Sequence, residues 1–291
     1  ESTGDFEIAL EHIERAIALY DFDRHELIRY RYGGVDAGVA ARLRRSWVLA
    51  ELGFLDSALE SAADGMEMVV RIDHPFSLAF AQYFMARLRM YRGETAAARE
   101  QTKELMELAS TYSFPLQLMW GAIFLRVFEL ESGAAAGSDP VLDGYVDGIR
   151  TIGFVCALSY HLLWSGVEHH QLGRTDLALE RFREAERWVE DRDEMAWAPE
   201  LYLRWGSVLE DEGNTGEAEN RFNRALDLST RLGSKYWELR ATTALAKLWR
   251  DTGRALEGRE LLQPIVDWFT EGLDTTYLVE AKALLWDLSD R

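Results

Sequence analysis

The chain has 291 residues, 48% of them hydrophobic, and its 50 acidic against 32 basic residues leave a net charge of −18 at pH 7. That sign repels phosphate backbones and anionic bilayers, excluding nucleic acid and membrane as partners, while five prolines and the large apolar share exclude a disordered chain. Cys156 is the single cysteine, so no intrachain disulfide can form, and no apolar run approaches the ~20 residues that span a bilayer; both point to a cytoplasmic protein.

Glycine recurs at 53, 93, 133, 173, 213 and 253, every 40 residues, and five residues after each comes a small one: Ala58, Ala98, Ser138, Ala178, Ala218 and Gly258. A fixed period of this length is the signature of a repeat array. Gly4 and Ala9 show the same offset without the helix that should precede them, so the chain reads as beginning inside a repeat of a longer protein. Phe6 to Tyr20 then predicts an opening helix, with Phe6, Ala9, Leu10, Ile13, Ala16, Ile17 and Tyr20 on one stripe. Residues 21 to 38 read as a longer connection, making 1 to 38 a partial first repeat plus loop. Hairpins follow in series. In residues 199 to 231, Leu201, Trp205, Val208 and Leu209 mark one helix that Gly213 closes, and Ala218, Phe222, Ala225 and Leu226 mark the next. Residues 172 to 189 repeat the design with Ala178, Phe182 and Ala185. One repeat departs from it, because Gly133 is followed by AAAGSDPVLDGY, where Pro140 predicts a late restart of the second helix. After Asp274, read as an N-cap, Leu278, Ala281, Leu284, Leu285 and Leu288 predict a last amphipathic helix, a cap over 275 to 291.

The small, aromatic, small spacing of each second helix resembles the tetratricopeptide repeat (TPR). So does the small residue seven positions before each turn glycine: Ser46, Ala86, Gly166, Gly206 and Ala246, with Arg126 as the exception. The resemblance implies an all-α, right-handed superhelical solenoid of about six or seven antiparallel helix pairs, a single array over 1 to 291. A narrower resemblance lies in KYWELRATTALAKLWRDTGRALEGRELLQPIVDWFTEGLDTTYLVEAKALL, residues 235 to 284, carried by its ELRA and WFTEG-DT stretches. This is similar to the tail of large bacterial signalling proteins that join a nucleotide cyclase or DNA-binding module to an ATPase followed by TPRs. It implies a sensor or scaffold segment of such a protein.

No GxxxxGK, GxGxxG, HExxH or GxSxG motif occurs, so the chain is expected to be no enzyme and to take no cofactor. His161, His169 and His170 share a predicted helix, but His161 and His170 face opposite sides and His169 lies two turns from His161, so no metal is expected there. Cys156, among Phe154, Val155, Ala157 and Leu158, reads as a buried, inert thiol. The acidic runs at 190 to 194 and 210 to 212 read as solvated helix ends, and Trp205 and Trp249 as core.

In the family's register the concave face is lined by residues 13, 10, 6 and 3 positions before each glycine. That rule selects Phe80, Tyr83, Arg87 and Met90; Trp120, Ile123, Val127 and Leu130; and Tyr160, Leu163, Val167 and His170. Glu200, Leu203, Ser207 and Glu210 follow, then Arg240, Thr243, Lys247 and Arg250. The expected partner is a protein or peptide, or another domain of the same full-length chain. Its apolar side chains would meet Phe80, Tyr83, Trp120 and Tyr160, and an anionic group would lie near Arg240, Lys247 and Arg250; Arg87 and His170 complete the candidate set. Two alternatives stand beside this reading. The cations could instead pair with Glu200, Glu210 and Asp211 on the adjacent helix, and the same aromatic region could enclose a metabolite.

Overall fold

The computed structural model describes residues 3–25, 34–133, 139–153 and 156–289. Among them there is no strand, and the helices follow one another as α1 (Phe6–Leu19), α2 (Phe22–His25), α3 (Ala37–Glu51), α4 (Leu55–Ile72), α5 (Pro75–Arg92), α6 (Thr95–Thr111) and α7 (Pro115–Glu131). After them come α8 (Val141–Ile152), α9 (Leu158–Gln171), α10 (Thr175–Arg192), α11 (Ala198–Asp211), α12 (Thr215–Leu232), α13 (Lys235–Asp251), α14 (Ala255–Trp268) and α15 (Thr276–Ser289). They pack as two compact units, Phe6–Leu125 and one built on Arg126–Arg291. Residues 26 to 33 of the expected long connection lie outside the described residues, as does Ser138, while α2 and the start of α3 occupy parts of that connection.

All six periodic glycines have positive φ, between 67° and 94°. At Gly213 this conformation ends α11: the Gly213 amide donates to the Glu210 carbonyl at 2.9 Å and the Asn214 amide to the Leu209 carbonyl at 2.8 Å. The Asn214 side chain then caps α12 by accepting from the Glu217 amide, so three residues separate the two helices. The loop is too short for anything but an antiparallel hairpin.

What holds each hairpin together is close approach at the small residues. Ala58, Ala98, Ala178 and Ala218 are fully buried. A Cβ on Gly166 would stand 2.7 Å from the Phe182 ring, and one on Gly206 would stand 2.5 Å from the Phe222 ring. Both rings are completely buried, each over the glycine of the preceding helix. Between α13 and α14 the small residue faces backbone: a Cβ on Gly258 would stand 3.1 Å from the Ala246 carbonyl oxygen.

In the N-terminal unit, Phe6 of α1 meets Trp47 of α3 edge to face, and the Asp36 carboxylate caps α3 by accepting from the Gly38 and Val39 amides. In the C-terminal unit, α14 and α15 close a cluster of Leu239, Ala246, Leu262, Ile265, Val266 and Phe269 with Leu278, Ala281, Leu284, Leu285 and Leu288, the stripe expected of the last helix. That helix begins at Thr276, and the Val279 amide donates to the Thr275 carbonyl, so Thr275 rather than Asp274 flanks its start. The next position in the small-residue column, 286, is a tryptophan with 75% exposure.

The departing repeat has a physical cause. Arg126 reaches Glu168 of α9 at 2.6 Å, and the other oxygen of that fully buried carboxylate accepts from the Leu142 amide at 2.8 Å. Glu168 thus neutralises the guanidinium and caps α8, which starts only after Pro140 and runs 12 residues. Cys156 corrects an expectation: it is exposed, because α9 starts only at Leu158 after Ala157 takes a left-handed conformation, which leaves Cys156 in the connection.

Candidate functional site

In the N-terminal unit the predicted lining residues stack on one another. Tyr83 lies parallel to Phe124 at 5.0 Å between centroids and 4.7 Å from Trp120, and Phe80 packs on Phe84 at 4.8 Å. Phe80, Tyr83 and Trp120 stay half-buried. Arg87 turns inward over the Trp47 ring at 4.2 Å and donates to the Tyr91 hydroxyl, which is itself held by the buried Glu51 carboxylate. Its charge serves that internal network.

The C-terminal unit places Tyr160 against Trp197 at 5.0 Å and buries it. His170 lies between Asp211 at 3.2 Å and Glu212 at 3.5 Å, while His169 contacts Asp143 at 2.9 Å. His161 is buried with its Nδ1 unpartnered, and burial pushes its pKa down to about 4. The three histidines do not converge. Trp205 is core, stacked near Phe182, whereas Trp249 is half-buried and donates to Glu219 at 2.7 Å.

One cavity of about 300 Å³ gathers most of the remaining candidates. Leu203, Ser207 and Glu210 of α11 face Arg240, Thr243, Lys247 and Arg250 of α13 across it. These seven follow from the register rule, since positions three to four apart share a helix face. Arg204, Asp251, Tyr277 and Glu280 also line the cavity and escaped the sequence reading. Glu280 was within reach of it, standing 40 residues after Arg240, with Tyr277 three residues earlier on the same face.

Among the described residues, the alternative pairing of Arg240, Lys247 and Arg250 with Glu200, Glu210 and Asp211 does not form. Glu200 and Glu131 hold Arg204 at 3.7 and 2.8 Å, Asp211 takes His170, and Arg250 pairs with Asp251 at 2.7 Å and Asp287 of α15 at 3.0 Å. Arg240 sits 3.6 Å over the Tyr277 ring and donates to the Tyr236 hydroxyl at 3.0 Å, with no carboxylate within 4 Å among the described residues. Burial opposes its charge, but Tyr236, Tyr277 and Glu131 outweigh that effect and hold its pKa above the ordinary value. Lys247 is exposed and makes no ion pair among the described residues. Glu210 likewise has no cation within 4 Å; burial, Asp211 and Asp251 push its carboxyl up, and Lys247 draws part of that back. The cavity can therefore hold an anionic group at Arg240 by charge-assisted hydrogen bonds.

No protein-family model matches this chain. No curated protein matches it in sequence. Among solved structures it is similar to NprR in complex with its cognate peptide NprX, at 14% identity and a TM-score of 0.61, over 96% of this chain and 81% of that one. It is also similar to the apo form of the quorum sensor NprR from B. thuringiensis, at 13% identity and a TM-score of 0.51, over 99% and 81%. No helix among the described residues is long and apolar enough to cross a membrane. The fold is that of a TPR-like all-α helical repeat.

Proposed function

We propose that this chain is a non-catalytic, peptide-binding regulatory repeat protein, and that the cavity between α11, α13 and α15 receives the peptide. The observation that carries the reading is Arg240: a desolvated guanidinium, oriented by two phenols, lining the cavity with no carboxylate within 4 Å of it among the described residues. Rings and a hydroxyl surround the guanidinium, so a ligand carboxylate would add the ionic partner that no described residue brings within 4 Å. NprR, similar in fold, binds the peptide NprX, which places peptides first among the ligand classes to try. The resemblance of residues 235 to 284 supports a finer reading, in which the chain regulates a larger bacterial signalling ATPase in the cytoplasm. A phosphate-binding loop in the gene upstream of residue 1 would support that context, and its absence would remove it.

The test is affinity selection of a random heptapeptide library on the full chain, beside Ser207→Trp, which fills the cavity. Wild type should retain a subset of peptides at least about tenfold over the variant, in keeping with loss of a well-packed contact. Equal retention by both proteins, or none by either, overturns the proposal. The metabolite reading keeps one observation in its favour, a volume at the lower edge of small-ligand pockets. Selection of a cell extract's small molecules on the same two proteins decides between them.

A further inference from the structure

The cavity has two unpaired ends. Arg240, 13 positions before Gly253, lies near the start of α13, and Glu210, three positions before Gly213, lies near the end of α11. Adjacent first helices run in the same direction, so the two groups differ by ten residues of helix, or ~15 Å along the axis at 1.5 Å per residue. An extended peptide rises ~3.3 Å per residue, so about five residues cover that distance. The other charges of the cavity are accounted for: Arg204 by Glu131 and Glu200, Arg250 and Asp251 by each other, while Lys247 and Glu280 are exposed at its rim.

Resting on the peptide reading above, we infer that the cavity binds a short peptide of about five residues in one direction, its terminal carboxylate on Arg240 and its terminal ammonium on Glu210. A planar guanidinium held over Tyr277 presents its fork to a carboxylate, and this geometry favours a two-oxygen anion over a point charge. At the opposite end burial, Asp211 and Asp251 act against the Glu210 charge more than Lys247 favours it, and a terminal ammonium would supply the cation that no described residue brings within 4 Å of that carboxylate. The reversed peptide would face like charge at both ends. Between the ends, Leu203, Thr243 and Ala244 offer an uncharged surface for side chains beside Arg204 and Lys247.

The experiment uses a random pentapeptide pool in four forms on the full chain: free at both ends, C-amidated, N-acetylated, and blocked at both. Charge-assisted hydrogen bonds predict that amidation lowers retention about 10- to 100-fold on wild type and has no effect on Arg240→Met. Acetylation should do the same on wild type and have no effect on Glu210→Gln. Arg240→Gln serves as a second variant should Arg240→Met not fold. Equal retention of all four forms by wild type overturns the inference and leaves the peptide reading intact. Retention of none, beside the Ser207→Trp control, overturns both. A free dicarboxylate of similar length that competes as well as the free-ended pool also overturns it, since such a ligand has no ammonium for Glu210.

Discussion

Replacing Gly206 with alanine should destabilise the protein, although the same change in an open helix stabilises. Alanine gains up to about 1 kcal/mol of helix propensity over glycine. Here the new Cβ would meet Phe222 Cε1, Cδ1 and Cζ at 2.5, 2.6 and 3.2 Å, against the 3.5 to 4.0 Å of ordinary carbon contacts. Phe222 is fully buried, so its ring can retreat the required ~1 Å only by moving α12 away from α11. Overpacking costs about 1 to 3 kcal/mol, and contacts this short belong to the upper half of that range, about 2 to 3 kcal/mol, so the net loss should be about 1 to 2 kcal/mol. Gly148 of α8 has nothing within 4 Å of its Cβ direction, and Gly148→Ala should stabilise by about 0.5 to 1 kcal/mol. Urea denaturation followed by far-UV circular dichroism measures both. The Gly206→Ala loss should vanish in a Phe222→Leu background, because the leucine leaves room for the methyl group. Stabilisation by Gly206→Ala equal to that by Gly148→Ala would refute the proposed seam.

Three further outcomes follow from the same coordinates. Ala218→Leu, at a completely buried position in that seam, should cost about 1 to 3 kcal/mol, and an unchanged urea midpoint would count against the packing. Glu168→Leu leaves the Arg126 guanidinium with Glu129 of its own helix and uncaps α8, for a loss of about 2 to 3 kcal/mol; Arg126→Leu with Glu168→Leu should lose less, and equal losses would deny the pair. His161 is held neutral with a pKa of about 4, against 6.5 in the unfolded chain, so its contribution is complete above pH 6.5 and falls as pH drops toward 4. Wild type should therefore lose about 2 kcal/mol between pH 7 and pH 5 that His161→Phe retains, and parallel stability curves for the two proteins would remove the effect.

The helices were legible in the sequence because glycine at a left-handed turn and a small residue at a close approach are demands of backbone geometry, which few side chains satisfy. A finer relation was also present. The residue seven before each turn glycine and the one nine after it compensate in volume: Gly166 with Phe182, Gly206 with Phe222, Ala246 with Leu262, Ser46 with Ala62. A hairpin seam has fixed width, so size lost on one helix returns on the other. Arg126 breaks the column because its side chain leaves the seam for Glu168, a partner 42 residues away that no local spacing identifies.

Charge pairing was illegible for the same reason. Register assigns a residue to a face, and it did assign Arg240, Lys247 and Arg250 to one cavity. It leaves open which carboxylate a flexible side chain reaches, since several lie within reach of each cation at almost equal energy. Arg250 turned to Asp251 and Asp287, and Arg204 took the two glutamates nearest to it, so Arg240 alone among the buried cations of the cavity was left facing open space. The aromatic residues behave in the opposite way. The register predicts Phe80, Tyr83 and Trp120 as lining residues, and rings on neighbouring helices also attract one another, so Tyr83 packs on Trp120 and Phe80 on Phe84. A binding surface in such an array is therefore best sought where the repeat places a group whose natural partner is missing, and Arg240 meets that description where the aromatic rings do not.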